Sequence, residues 1–76
     1  MIKPNKTIKL SYSIIGVGAL ILPRLTYPQS VSALWNKLKK YKEITSFEKF
    51  VLTLDFLYMF NLIKFDKGLI MRVKND

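Results

Sequence analysis

Side-chain catalysis needs groups that carry protons, attack electrophiles or hold metal ions, and this 76-residue chain is poor in all of them. It has no His and no Cys. The common zinc ligand sets and any disulfide framework are therefore closed to it. Five carboxylates remain, at Glu43, Glu48, Asp55, Asp66 and Asp76, and they are scattered. Glu48 follows Thr45 at the spacing of a capping box, Asp66 precedes Lys67 and Gly68 in a turn, Asp76 is terminal, and Glu43 lies among lysines. Asp55 alone sits within an apolar helical stretch, where it reads as a partly exposed helix carboxylate or as a polar anchor facing a basic partner. No Ser or Lys has a supporting base in the pattern, so a non-enzymatic chain using no cofactor or metal is expected. Gly16 and Gly18 resemble a fragment of a phosphate loop, but the third glycine and the preceding strand are missing.

Charge points to partners. Thirteen Lys and Arg against five Asp and Glu give a net charge of +8, while half of the residues are hydrophobic. That balance suits nucleic acid, an acidic membrane surface or an acidic protein, and does not choose among them. The longest apolar run, Ile14 to Leu22, stops at Pro23 and Arg24, well short of the ~20 residues that span a bilayer. Lys3, Lys6 and Lys9 before this run imitate a signal peptide, yet no small-x-small cleavage site follows and Arg24 interrupts. A cytoplasmic chain without membrane attachment is the default expectation.

The elements that must position these groups follow from periodicity and capping. The segment 1–10, with Pro4 and Asn5 among lysines, reads as an extended N-terminal arm. Ser11 and Ser13 offer hydroxyls to cap a first helix from about Tyr12 to Leu22, ended by Pro23. The two glycines inside it suit close packing, at up to about 1 kcal/mol each against Ala. Ser30 caps a second helix to about Tyr41, with Val31, Leu34, Trp35 and Leu38 at the i, i+3, i+4, i+7 spacing of a core face. The Thr45 and Glu48 box starts a third helix running from Ser46 to Asn61. Ile63 to Phe65 and Leu69 to Val73 then flank Asp66, Lys67 and Gly68 as a β-hairpin. The expectation is one domain over residues 1–76, mainly α with a small β-hairpin, in the winged-helix order of three helices plus wing.

The third helix carries the most information. Phe47, Phe50, Val51, Leu54, Leu57 and Tyr58 share one broad face, which must pack on the other helices. Leu52, Phe56, Met59 and Phe60 make a second apolar stripe with Asp55 at its margin. A helix apolar on both sides needs cover on both sides, supplied by the arm, the hairpin, Trp35 or a partner protein. The same helix is a poor DNA reading head, because it offers only Lys49 and Asn61 to base edges. Cationic side chains lie elsewhere, and Lys37, Lys39, Lys40, Lys64, Lys67 and Arg72 are the candidates for phosphate contacts without sequence preference.

Four stretches together resemble a known family. These are Ile-Lys-Pro-Asn-Lys at residues 2–6, the run Ser-Ile-Ile-Gly-Val-Gly-Ala-Leu-Ile-Leu at 13–22, Pro28 ahead of Ala33-Leu34-Trp35, and Leu-Asp-Phe-Leu-Tyr-Met at 54–59. The chain is similar to the middle component of prokaryotic ABC-three component systems, to which Lamassu is a related arrangement. The resemblance implies a small winged-helix-like subunit encoded between an ABC or SMC-like ATPase and an effector, in defence against phages or plasmids. It carries over no catalytic residue. The expected function is thus a non-catalytic adaptor in a hetero-oligomer, contacting its partners through Leu52, Asp55, Phe56, Met59 and Phe60. The alternative is a small basic winged-helix regulator that binds DNA.

Overall fold

The structure, a computed structural model, describes residues 6–74. Three helices, α1 (Lys6–Arg24), α2 (Val31–Leu38) and α3 (Phe47–Met59), precede an antiparallel hairpin of β1 (Ile63–Asp66) and β2 (Leu69–Arg72). This is the mainly helical, winged-helix-like layout expected, but several boundaries differ.

α1 begins at Lys6, so residues 6–10 are helical rather than an extended arm. Residues 1–5 lie outside the described region. No Gly or Pro interrupts the chain from Lys6 to Pro23 except Gly16 and Gly18, and Ile14, Val17 and Ile21 repeat on one buried face. Burial of that face sustains the helix, and Ser11 and Ser13 sit inside it instead of capping it. The helix also runs past Leu22, because a proline in the last turn removes one amide from a ladder that is ending anyway. Guanidinium groups meet the exposed carbonyls there. Arg24 Nη1 donates to the Leu20 carbonyl at 2.9 Å and Arg72 Nη1 to that of Leu22 at 3.3 Å.

Ser30 caps α2 as expected, its Oγ accepting from the Ala33 amide at 3.1 Å, and the helix ends at Leu38, three residues early. α3 is capped by Ser46 rather than by Thr45. Ser46 is extended (φ −156°, ψ 161°) and its Oγ accepts from the Lys49 amide at 3.1 Å. The expected Thr45 and Glu48 box is displaced because the adjacent Ser46 satisfies an orphan amide one residue later. α3 ends two residues before Asn61, which adopts φ +60°. The Leu62 amide reaches the Leu57 carbonyl at 2.9 Å and the Asn61 amide that of Tyr58 at 3.0 Å. Together they form a Schellman motif that turns the chain into the wing.

In the wing, Lys67 (φ +52°) and Gly68 (φ +80°) make the two-residue turn, both with the positive φ that a tight hairpin of this type requires. A third backbone segment joins it. Gln29, between α1 and α2, exchanges both backbone hydrogen bonds with Ile70 at 3.0 and 2.7 Å, which ties the helices to β2. The core where these elements meet contains Val17, Ile21, Leu34, Leu38, Phe50 and Ile70, all at most 1% exposed. Trp35 is half-buried against it, edge-on to Phe47 at 5.2 Å and tilted on Phe50 at 5.4 Å, and so serves the core as its spacing implies. Thr53, unnoticed in the apolar pattern, is fully buried because its hydroxyl donates to the Lys49 carbonyl at 2.8 Å.

Candidate functional site

From Leu10 to Pro23, α1 contains no charged residue. Its inner face is buried, but Tyr12 is 73% exposed and Ile15 67% exposed on the outer side. A helix without a polar face is apolar all round, and only one side of this one is sheltered.

Gly18 lets α3 press closely against α1. A Cβ placed on it would stand 3.3 Å from Leu57 Cδ2, so α3 approaches α1 here as closely as a missing side chain permits. Gly16 has nothing within 4 Å of such an atom and takes no part in close packing, contrary to expectation. Beside the contact, a groove of about 460 Å³ runs between α1 and the C-terminal end of α3. Ile15, Gly18 and Ala19 line it from α1, Phe56 and Phe60 from α3, and Leu62 from the turn into the wing. The two Phe rings lie 6.3 Å apart, tilted by 30°.

The residues expected at an interface are divided by this geometry. Phe56 is half-buried and Phe60 is 68% exposed, and both line the groove. Met59 is 71% exposed and Leu52 half-buried, outside it. Asp55 is exposed. Of the sources of cover considered, the hairpin reaches α3 through Tyr58, whose ring lies 5.4 Å from that of Phe65, and Trp35 covers Phe47 and Phe50. Neither covers Met59 or Phe60. Phe47 and Tyr58, assigned to the core face, are half exposed at its edges.

Sequence reasoning missed the α1 half of the surface. The signal was present, since fourteen residues without a charge cannot all face a core supplied by one neighbouring helix.

The cations divide likewise. Lys37 donates to the Tyr27 hydroxyl, with its ammonium 4.4 Å from the centroid of that ring, and Lys40 lies 5.5 Å from that of Tyr41. Arg72 is bonded to the end of α1. Lys39, Lys64 and Lys67 are exposed. Lys64, Arg72 and Lys74 line a second groove with Tyr27 and Pro28, on the wing side. Lys39, Lys40 and Lys67 do not line it. Among the described residues no three acidic side chains gather where a metal could bind, and no helix is long and apolar enough to cross a membrane.

The pattern of the ABC-three component (ABC-3C) system Middle Component 6 family matches residues 3–73. The chain belongs to this family. No curated protein and no solved structure matches it. This middle component is one part of a multi-component system, so partners in the same system are implied.

Proposed function

We propose that this chain is the non-catalytic adaptor of its system, joining an ABC or SMC-like ATPase to an effector in prokaryotic defence against phages or plasmids. The proposal places it in the cytoplasm as part of a hetero-oligomer. The exposed apolar face across α1 and the end of α3 carries this reading. Burying about 400 Å² of such surface would favour association by about 10 kcal/mol before the costs of ordering two molecules are subtracted. Family membership supports it independently, since a middle component has other components to join.

Co-expression with the products of the neighbouring genes tests the proposal. Both partners should co-purify with the wild-type chain, and Phe60→Asp should release at least one while leaving the helical circular dichroism intact. Retention of neither partner by the wild-type chain would end the adaptor reading.

A second reading has its own observation. Lys64, Arg72 and Lys74 line one groove with the half-exposed Tyr27, an arrangement able to follow a phosphate backbone. α3 is unsuited to base readout, because Glu48, Asp55 and Met59 occupy its exposed side. As a DNA-binding regulator the isolated chain would bind duplex without sequence preference and with a steep salt dependence. Absence of such binding at low salt would remove this reading.

A further inference from the structure

The wing-side groove joins cations to an open strand edge. The Val73 amide donates to the Leu62 carbonyl at 3.0 Å, and β1 and β2 pair antiparallel with Lys64 opposite Met71 and Asp66 opposite Leu69. Backbone groups along a strand point to alternate sides, so the amides and carbonyls of Ile70 and Arg72 are turned away from β1. Ile70 uses both of its own on Gln29, at 3.0 and 2.7 Å. Continued by two residues, that ladder would bring Tyr27 to Arg72. It stops instead. Among the described residues no main-chain bond joins the two, and the Tyr27 carbonyl accepts from Gln29 Nε2 at 3.3 Å. Arg72 is left with an outward amide and carbonyl. A groove of about 600 Å³ lies here, lined by Thr26 and Tyr27 from the connection after α1 and by Arg72 and Lys74 from β2 and its continuation.

Charge and backbone chemistry together select the occupant. Lys64, Arg72 and Lys74 line the groove with no carboxylate among its lining residues, and all three are exposed. An anionic occupant is favoured. A nucleic-acid strand offers acceptors, which suit the cations and the Arg72 amide but set an anion against the Arg72 carbonyl. An extended peptide brings a donor and an acceptor together at each residue that faces the edge, and so pairs both groups, as in strand addition to a sheet. A second copy of this chain does not supply such a peptide. Its five carboxylates are at least five residues apart, whereas a strand matched to both Arg72 and Lys74 needs two of them at alternate positions.

We propose that the wing-side groove receives a short extended segment of a partner protein, with carboxylates at alternate positions, which pairs with the backbone of β2 at Arg72. This deepens the adaptor reading and rests on it, by naming what one of the joined partners presents.

The test uses the full chain and three nine-residue peptides: one alternating Glu and Val, one with Gln in place of Glu, and the Glu peptide N-methylated along its backbone. In fluorescence anisotropy the Glu peptide should bind saturably and at least about tenfold tighter than either of the others, and its margin over the Gln peptide should shrink as salt screens the charges. Amide exchange at Arg72 should slow on binding, while that at Phe65, on the opposite edge of the hairpin, should not change. Lys64→Glu with Lys74→Glu should remove the preference for Glu with unchanged circular dichroism, and Lys39→Glu on α2 should leave it intact. Equal binding of the Glu and Gln peptides, undiminished binding of the N-methylated peptide, or an oligothymidylate that binds tighter than the Glu peptide would each overturn the proposal, the last by giving the groove to nucleic acid. If both system partners remain bound to the chain carrying Lys64→Glu and Lys74→Glu, this inference fails while the adaptor reading stands.

Discussion

A Cβ on Gly18 would lie 3.3 Å from Leu57 Cδ2, and that one approach decides how α1 and α3 sit together. The groove lies beside this contact, with Leu57 and Gly18 both in its lining. Substitution of the two α1 glycines should therefore have opposite consequences. Gly16→Ala gains helix propensity without a clash and should stabilise by up to about 1 kcal/mol, a rise of roughly 4–8 °C in Tm. Gly18→Val should push the helices apart and cost about 1–3 kcal/mol as overpacking. Thermal denaturation of both variants checks the contrast.

The start of α3 gives a second comparison. Ser46→Ala removes the oxygen that accepts from the Lys49 amide and should destabilise by about 1 kcal/mol. Thr45→Ala, at the exposed neighbour, should change stability by less than about 0.5 kcal/mol. Equal losses in urea unfolding would contradict the assignment of the cap.

Two left-handed positions hold the wing in place. Asn61→Val forces a β-branched residue to φ +60° in the Schellman motif and should cost about 1–2 kcal/mol, while Asn61→Gly should be neutral or mildly stabilising. At the hairpin, Lys67→Asn should stabilise slightly, because Asn tolerates the φ of +52° better than Lys. Chemical denaturation measures these effects, and hairpin amide exchange should slow in the Asn variant.

A buried polar atom offers a way to raise stability. Gln29 is 5% exposed and its Oε1 has no hydrogen-bond partner, although its backbone is paired with Ile70. Gln29→Met keeps the backbone bonds and removes the unsatisfied oxygen at the loss of the long 3.3 Å bond from Nε2 to the Tyr27 carbonyl, so it should stabilise by up to about 1 kcal/mol. A lower Tm would show that the amide is satisfied in solution.

The order of elements was legible in the sequence because it rests on local physics. Ser30 caps where a hydroxyl precedes a periodic apolar run, Gly68 turns where a positive φ is needed, and Leu34 and Leu38 are core because they recur one helical turn apart. The second apolar stripe on α3 could be read the same way, although only Met59 and Phe60 of it are exposed and Leu52 and Phe56 are half-buried. Family membership was also carried by local runs of residues.

Tertiary contacts decided the remainder. Periodicity could not say that α1 extends back to Lys6, because residues 8–12 are all exposed and only propagate a helix that Ile14, Val17 and Ile21 anchor in the core. It could not distinguish Gly18, pressed on Leu57, from Gly16, facing open space, since only a neighbour's position makes one glycine necessary. Nor could it join Ile15 to Phe60, forty-five residues apart in the chain, into one groove. A sequence fixes which side chains share a face of one helix, but a surface made by two helices exists only once both are docked.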